Sequence, residues 1–239
     1  MAFRREVGIP GEVAVVVVAA GRGSRMETDR NKVLLEVGGV PVIVRTLRAF
    51  AESGQVQRFI VVIGTGERQE MTALLDRWCP DLPVQLVYGG QERQESVHNG
   101  LMALAGDESV VLIHDGARPF IGQNAIKACI KAVWTLGAAC VGVPVKDTIK
   151  RVDNLDMVVE TPDRALLWQV QTPQGFKPDL ILKAHHQAVL DGFRGTDDAM
   201  LVERMGVKVR MIMGGYGNIK ITTPEDLVYA EALLMSQKA

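Results

Sequence analysis

Short runs made almost wholly of apolar residues recur along this chain, and between them apolar residues return at helical spacing among charged ones. Val13 to Val18, Phe59 to Ile63, Val84 to Tyr88, Val110 to Ile113 and Ala138 to Val143 are such runs. The first is rich in β-branched side chains and too short to cross a bilayer, which predicts a strand buried on both faces, and the others read as strands as well. Pro41 to Glu52 sets Arg45 and Arg48 among Val42, Leu47, Ala49 and Phe50, the pattern of an amphipathic helix with proline near its start. Glu67 to Trp78, the stretch through Val97, Leu101, Met102 and Leu104, and Asn124 to Leu136 also read as helices. Strands alternating with helices predict a parallel sheet covered on both faces, with ligands held beyond the carboxyl ends of the strands.

The alternation stops between Pro144 and Phe176. Lys146, Asp147, Lys150, Arg151, Asp153, Asn154 and Asp156 there alternate with isolated Val and Ile, while Pro162 and Pro173 forbid a continuous helix. The pattern predicts an extended, projecting β-arm over residues 144–171. Such an arm holds too few apolar residues to be stable alone, so a partner chain is expected to cover part of it. Asp179 to Leu190 returns to helix, Thr196-Asp197-Asp198 caps a short helix through Met205, and Val207 to Met213 reads as a strand. Thr223-Pro224-Glu225-Asp226 starts a last helix, with proline at its first position. With no repeat and no low-complexity linker, residues 1–239 read as a single domain that carries the arm.

Polar clusters fall at the carboxyl ends of these predicted strands. Ala19-Ala20-Gly21-Arg22-Gly23-Ser24-Arg25 follows the first run, with Lys32 soon after. Small residues let a turn close against a ligand with its N–H groups outward, and Arg25 and Lys32 add positive charge, a combination suited to a nucleoside triphosphate. A dinucleotide loop would need glycine or alanine where Met26 stands, and no Gly-Lys-Ser/Thr follows Gly21 as a P-loop requires. A plain surface turn stays open from these residues alone. Gly89-Gly90 with Arg93 and Ser96 is either a strand-to-helix turn with a serine cap or a base-reading loop, whose carbonyls accept from a cytosine amino group beside the Ser96 hydroxyl. Asp115, in His114-Asp115-Gly116-Ala117-Arg118, is a helix cap, a partner of Arg118, or a ligand for Mg²⁺, which at triphosphates takes one or two carboxylates.

Composition narrows these choices. A formal net charge of −1 with no long basic run argues against a nucleic-acid surface and for a small anionic ligand held by a local cluster. Three cysteines, Cys79, Cys129 and Cys140, lack CxxC spacing, which points to reduced thiols, a cytoplasmic location and no zinc. Arg4 and Arg5 precede an apolar run, but Glu12 interrupts the approach, so neither a targeting segment nor a membrane partner is expected. His98, His114, His185 and His186 show no metal spacing and receive no catalytic role. A phosphate monoester, with a second pKa near ~6, is largely a dianion at neutral pH and needs no general base as a nucleophile.

The loop Ala-Ala-Gly-x-Gly-x-Arg-Met, with lysine seven residues after the arginine, resembles the signature of nucleotidyltransferases that activate sugar and polyol phosphates. Gly-Gly-x-x-Arg-x-x-Ser, HDGARPF, PVKDTIKR, Asp163-Arg164-x-x-Leu-Trp-x-x-Gln-Thr-Pro-Gln, Thr196-Asp197 and Asn218-Ile219-Lys220 extend the likeness over nearly the whole chain. Together they resemble the 2-C-methyl-D-erythritol 4-phosphate cytidylyltransferase family. The resemblance implies a Rossmann-like three-layer α/β/α nucleotidyltransferase fold with a mostly parallel sheet, and transfer of CMP from CTP to a polyol phosphate. It implies Arg25, Lys32 and Lys220 as catalytic cations, and Ala19, Ala20, Gly21, Gly23, Gly90, Arg93, Ser96, Asp115 and Gly116 around the nucleotide. It further implies Asp115 as the Mg²⁺ holder, Thr148, Arg164, Thr196 and Lys220 toward the polyol phosphate, and a homodimer that exchanges the arm. Asn31 stands where many relatives have proline, and Asp198 where glutamate is common. Ribitol-5-phosphate cytidylyltransferases are the nearest rival, disfavoured by Asp163-Arg164 and the Leu-Trp pair. A non-catalytic CTP sensor is a more distant one.

Overall fold

Val13, Val15 and Val17 face one hydrophobic layer while Ala14 and Val16 face another, as a doubly buried strand requires. The computed structural model describes residues 11–21 and 31–236. Strand β1 (Glu12–Val18) leads, by way of the small hairpin β2 (Glu36–Val37) and β3 (Val40–Pro41), into α1 (Val42–Glu52). Strict alternation follows: β4 (Arg58–Ile63), α2 (Arg68–Trp78), β5 (Val84–Tyr88), α3 (Arg93–Leu101), β6 (Glu108–Asp115), α4 (Gln123–Leu136) and β7 (Ala138–Pro144). The hairpin β8 (Arg151–Val152) and β9 (Val158–Glu160) forms a separate sheet. Strand β10 (Trp168–Phe176), α5 (Pro178–Leu190), α6 (Asp198–Arg204), β11 (Arg210–Met213) and α7 (Pro224–Ser236) complete the described chain.

The main sheet has seven strands in the order β11-β7-β10-β6-β1-β4-β5, and only β10 runs antiparallel to its neighbours. Leu47 and Phe50 of α1, Met71 of α2, and Ile126 and Ile130 of α4 fill the layer on one face. Val97 and Leu101 of α3, Ile181 of α5 and Leu201 of α6 fill the other, which gives the expected three layers. Helix α3 lies so close to the sheet that a Cβ on Gly100 would strike Val16 and come within 2.9 Å of Val62. Among the described residues no helix is long and apolar enough to cross a membrane.

Two expectations are corrected. Residues 168–176, assigned from sequence to the arm and the break in alternation, form a strand at the centre of the main sheet, with Gln174 beside Ile113 on one side and Cys140 on the other. Pro173 falls at the register shift between Val170 and Gln174, where the ladder is interrupted and its missing N–H is tolerated. The strand read from Val207 to Met213 begins only at Arg210.

Register fixes the working edge. Val18 pairs with Val62 on one side and with Asp115 on the other, and Ile63 pairs with Tyr88. The carboxyl ends of β1, β4, β5 and β6 therefore align, and the loops that follow them meet at one rim. Met213 pairs with Gly142 in parallel, so the segment that carries Lys220 leaves the sheet on the same side.

Candidate active site

Asp115 ends β6 and is only 7% exposed. Its carboxylate meets Lys220 Nζ at 3.1 Å, Arg118 Nε at 3.2 Å and Arg93 Nε at 3.6 Å. Burial pushes its pKa up, but Lys220, Arg93 and Arg118 outweigh burial and hold the carboxyl well below the usual carboxylate range. The group is a fixed anion at neutral pH. Arg118 Nη1 also donates to the Asn218 carbonyl at 2.8 Å, and Asn218 Nδ2 donates to Gln171 Oε1 and to the Thr172 carbonyl. These bonds tie the end of β6 to the Lys220 segment through β10.

A cavity of about 210 Å³ opens over this cluster, and Ala19, Ala20, Gly21, Lys32, Gly90, Arg93, Ser96, Asp115 and Lys220 line it. Four stretches separated by long sequence distances are thus brought together. Gly116 does not line the cavity: its N–H donates to the Val18 carbonyl at 2.9 Å and its carbonyl accepts from Thr46 Oγ1 at 2.9 Å, which joins β6 to β1 and α1. Thr148, Arg164 and Thr196 are exposed and lie outside the lining. Arg164 Nη1 instead donates to the Lys146 carbonyl at 2.9 Å. Gly23 and Arg25 lie outside the described residues.

The two loops that form the cavity walls touch because one residue lacks a side chain. A Cβ on Gly89 would come within 2.7 Å of both Ala20 Cβ and Ser96 Oγ. Ser96 is not the helix cap. Glu92 holds that position, and the Gln91 and Glu92 N–H groups donate to Glu95 Oε2. The buried Ser96 hydroxyl accepts from the Gly90 N–H at 3.1 Å, a role that leaves its own proton to donate. Arg93 reaches Asp198 Oδ2 at 2.8 Å; burial lowers its pKa, but the nearby Asp198 and Asp115 raise it further, so it stays charged.

Several bonds that brace the site escape a sequence reading. Asn31 is buried, donates through Nδ2 to the Ala19 carbonyl at 2.6 Å and to Glu67 Oε1 at 2.9 Å, and accepts from the Val33 N–H through Oδ1. The departure from proline there supplies bonds that proline has no groups to make. His114 is fully buried; its Nε2 lies 3.1 Å from the Arg118 carbonyl and must carry the proton, so Nδ1 accepts from Thr172 Oγ1 at 3.0 Å. Thr172 Oγ1 in turn accepts the Asp115 N–H at 3.1 Å. The sequence signal for this series of bonds is a histidine directly after an apolar run.

Burial lowers the His114 pKa from 6.5 to about 4 despite the Arg118 carbonyl, which works the other way. Between those values the unfolded chain binds a proton more readily than the native one, so stability falls as pH drops through that window. The loss from this group between pH 7 and pH 5 is expected to be about 2 kcal/mol. Urea unfolding of the wild type and of His114→Gln at both pH values checks this, since the variant should lack that share of the loss. An equal loss in both proteins would show that His114 does not set the slope.

Comparison with known proteins adds to this geometry. A family model described as IspD, 2-C-methyl-D-erythritol 4-phosphate cytidylyltransferase, matches residues 13–236. The enzyme of that name from Geobacillus kaustophilus is 50% identical over 224 residues, which cover 94% of this chain and 97% of the relative. That from Caldanaerobacter subterraneus is 48% identical, covering 93% of this chain and 98% of its own length. The crystal structure of 4-diphosphocytidyl-2C-methyl-D-erythritol synthase from Anaerococcus prevotii superposes with a TM-score of 0.85 at 33% identity, covering 94% of this chain and 96% of that one.

Proposed function

We infer the chemistry of this site from one premise: the chain belongs to the 2-C-methyl-D-erythritol 4-phosphate cytidylyltransferase family. It transfers CMP from CTP to the 4-phosphate of 2-C-methyl-D-erythritol 4-phosphate, and yields 4-diphosphocytidyl-2-C-methyl-D-erythritol and pyrophosphate in the non-mevalonate isoprenoid pathway. The observation that carries the reading is the ionised Asp115 among Lys220, Arg118 and Arg93, beneath a cavity walled by residues 19–21 and 90–96.

An oxygen of the monoester dianion attacks the α-phosphorus of CTP, the bond from that phosphorus to the α,β-bridging oxygen breaks, and pyrophosphate leaves with that oxygen. No proton has to move. The difficulty is repulsion: two unit charges about 4 Å apart at an effective dielectric of ~20 interact by roughly 4 kcal/mol. Lys32 and Lys220 line the cavity and supply the opposing charge, with Arg25 assigned the same task. The Gly90 segment and the Ser96 hydroxyl read the cytosine edge.

Mg²⁺ fits this donor set. Among the described residues no group of three or more His, Cys, Asp or Glu side chains could hold a metal alone. A magnesium ion at a triphosphate takes one or two carboxylates and completes its shell with phosphate oxygens and water, so the charged, buried Asp115 suffices. When bound, the ion neutralises charge on the triphosphate. Asp115 also holds Lys220 in place.

The arm supports a homodimer. Leu155 is 81% exposed, with Met157 and Val158 exposed close to it in the chain, and Leu166 is 80% exposed, apolar side chains that a second copy would cover. Arg164 then serves the partner's acceptor phosphate with its planar fork. Mixing Arg164→Ala with Lys32→Ala protein under subunit exchange should restore a clear share of activity, since one site of each heterodimer keeps both residues. If subunits exchange and activity stays at the parental level, Arg164 does not act across the interface. The three free, buried thiols suit a reducing cytoplasm.

Release of pyrophosphate from CTP and Mg²⁺, with methylerythritol phosphate and ribitol phosphate offered separately, tests the whole reading. Release with the first substrate is expected. Preference for ribitol phosphate would move the chain to the rival substrate, and no release with either would leave a CTP-binding protein without turnover.

A further inference from the structure

The loop over residues 64–67, between β4 and α2, reaches the rim without lining the cavity. Glu67 Oε2 accepts the Gly64 N–H at 2.7 Å, and the two residues lie so close that a Cβ on Gly64 would come within 2.9 Å of that oxygen. Asn31 Nδ2 carries two hydrogens: Glu67 Oε1 accepts from it at 2.9 Å and the Ala19 carbonyl at 2.6 Å. Asn31 Oδ1 accepts the Val33 N–H at 3.3 Å, so every polar group of this side chain, on a residue 6% exposed, is used. The amide fits only one way round. Exchanging Oδ1 and Nδ2 would set an acceptor against the Glu67 carboxylate and the Ala19 carbonyl, and a donor against the Val33 N–H. Asn31 has φ −60° and ψ 125°, which proline also adopts, so what asparagine adds here is its side chain.

Two parts of the cavity wall depend on that amide. The C=O and N–H of a trans peptide point in opposite directions, so pinning the Ala19 carbonyl on Asn31 fixes the direction of the Ala20 N–H. On its other side Asn31 caps the 3₁₀ turn Lys32–Leu34, whose Val33 and Leu34 are buried, and Lys32 lines the cavity from that turn. We propose that Glu67 is a positioning residue for the triphosphate of CTP: by setting the Asn31 amide, it holds the Ala19–Ala20 peptide and Lys32 where the β- and γ-phosphates bind. The proposal rests on the function assigned above and deepens it. Both Glu67 oxygens face donors, and Asn31 stands between the carboxylate and Ala19, so the group acts through its neighbour and not on substrate.

Calorimetry with Mg²⁺ and either CTP or CMP, without acceptor, separates the β- and γ-phosphates from the rest of the nucleotide. Glu67→Ala should weaken CTP binding about tenfold and leave the CMP Kd within about twofold, because CMP lacks the phosphates this wall holds. A role confined to the start of α2 would show in urea unfolding, and would weaken both nucleotides alike or neither. Asn31→Ala should weaken CTP at least as much, and the double variant should stay within about twofold of Asn31→Ala alone, since Glu67 acts through that amide. Glu67→Gln offers one acceptor oxygen in place of two, should weaken CTP about threefold, and carries the test if the alanine variant does not fold. Equal losses for CTP and CMP, unchanged CTP binding in the folded Glu67 variants, additive losses in the double variant, or a wild type that binds CTP no better than CMP would overturn the positioning role. A wild type that releases no pyrophosphate from CTP with either polyol phosphate would instead remove the assigned function.

Discussion

Asp115→Asn should lower turnover by about 10³ while the protein still folds. One donor aimed at developing charge is commonly worth about 10²–10³ in rate, and Asp115 serves more than one function. Its charge orients Lys220 at 3.1 Å and balances Arg118 and Arg93, and it is the carboxylate assigned to Mg²⁺. The amide keeps the shape, so the backbone bond to Thr172 survives. Asp115→Ala should be worse in stability as well, because truncating one partner of a buried pair costs about 3–5 kcal/mol. Lys220 and Arg93 keep 36% and 30% of their side chains exposed, which places the expected cost at the lower end. Turnover against Mg²⁺ concentration, together with urea unfolding, separates the two effects. Full activity in the asparagine variant with unchanged magnesium dependence would reduce Asp115 to an ion-pair partner of Arg118.

Lys32→Ala and Lys220→Ala should each lower kcat by about 10²–10³, and the fall in kcat should exceed any rise in KM. Both side chains line the cavity where a dianion approaches a triphosphate, and the charge they oppose is greatest in the transition state. Stability should also fall for Lys220→Ala, by less than for Asp115→Ala, because Arg118 and Arg93 still face the buried carboxylate it leaves. Turnover within a few-fold of wild type for both variants would sink their assignment as catalytic cations.

The alternation of strand and helix was legible because period and composition are local. Val13 to Val17, Phe59 to Ile63 and Ala138 to Val143 are apolar on both faces, and a strand with that property needs helices above and below it. The loops that follow β1, β5 and β6 inherit their place from that rule, which is why Gly21, Gly90 and Asp115 were expected on one rim. The Asp115–Arg118 pair was legible too, since the two residues are three apart in the chain.

What tertiary structure alone decided concerns polar residues that find distant partners. Trp168 to Phe176 carries Gln169, Gln171, Thr172 and Gln174 with a proline, and by composition it reads as exposed. It is nonetheless a central strand, because Gln171 Nε2 reaches the Gly215 carbonyl, Thr172 reaches His114, and Gln174 holds the start of α6. Burial of a polar group is unfavourable until a partner satisfies it, and these partners lie 24 to 58 positions away in sequence. Asn31 on Ala19 and Glu67, and Gln94 on Phe193 and Gly195, follow the same logic. The sequence alone determined where apolar surface had to go, and so the layers and the rim. Only the folded chain decided which polar side chains could afford burial, because that depends on hydrogen-bond partners no local pattern brings together.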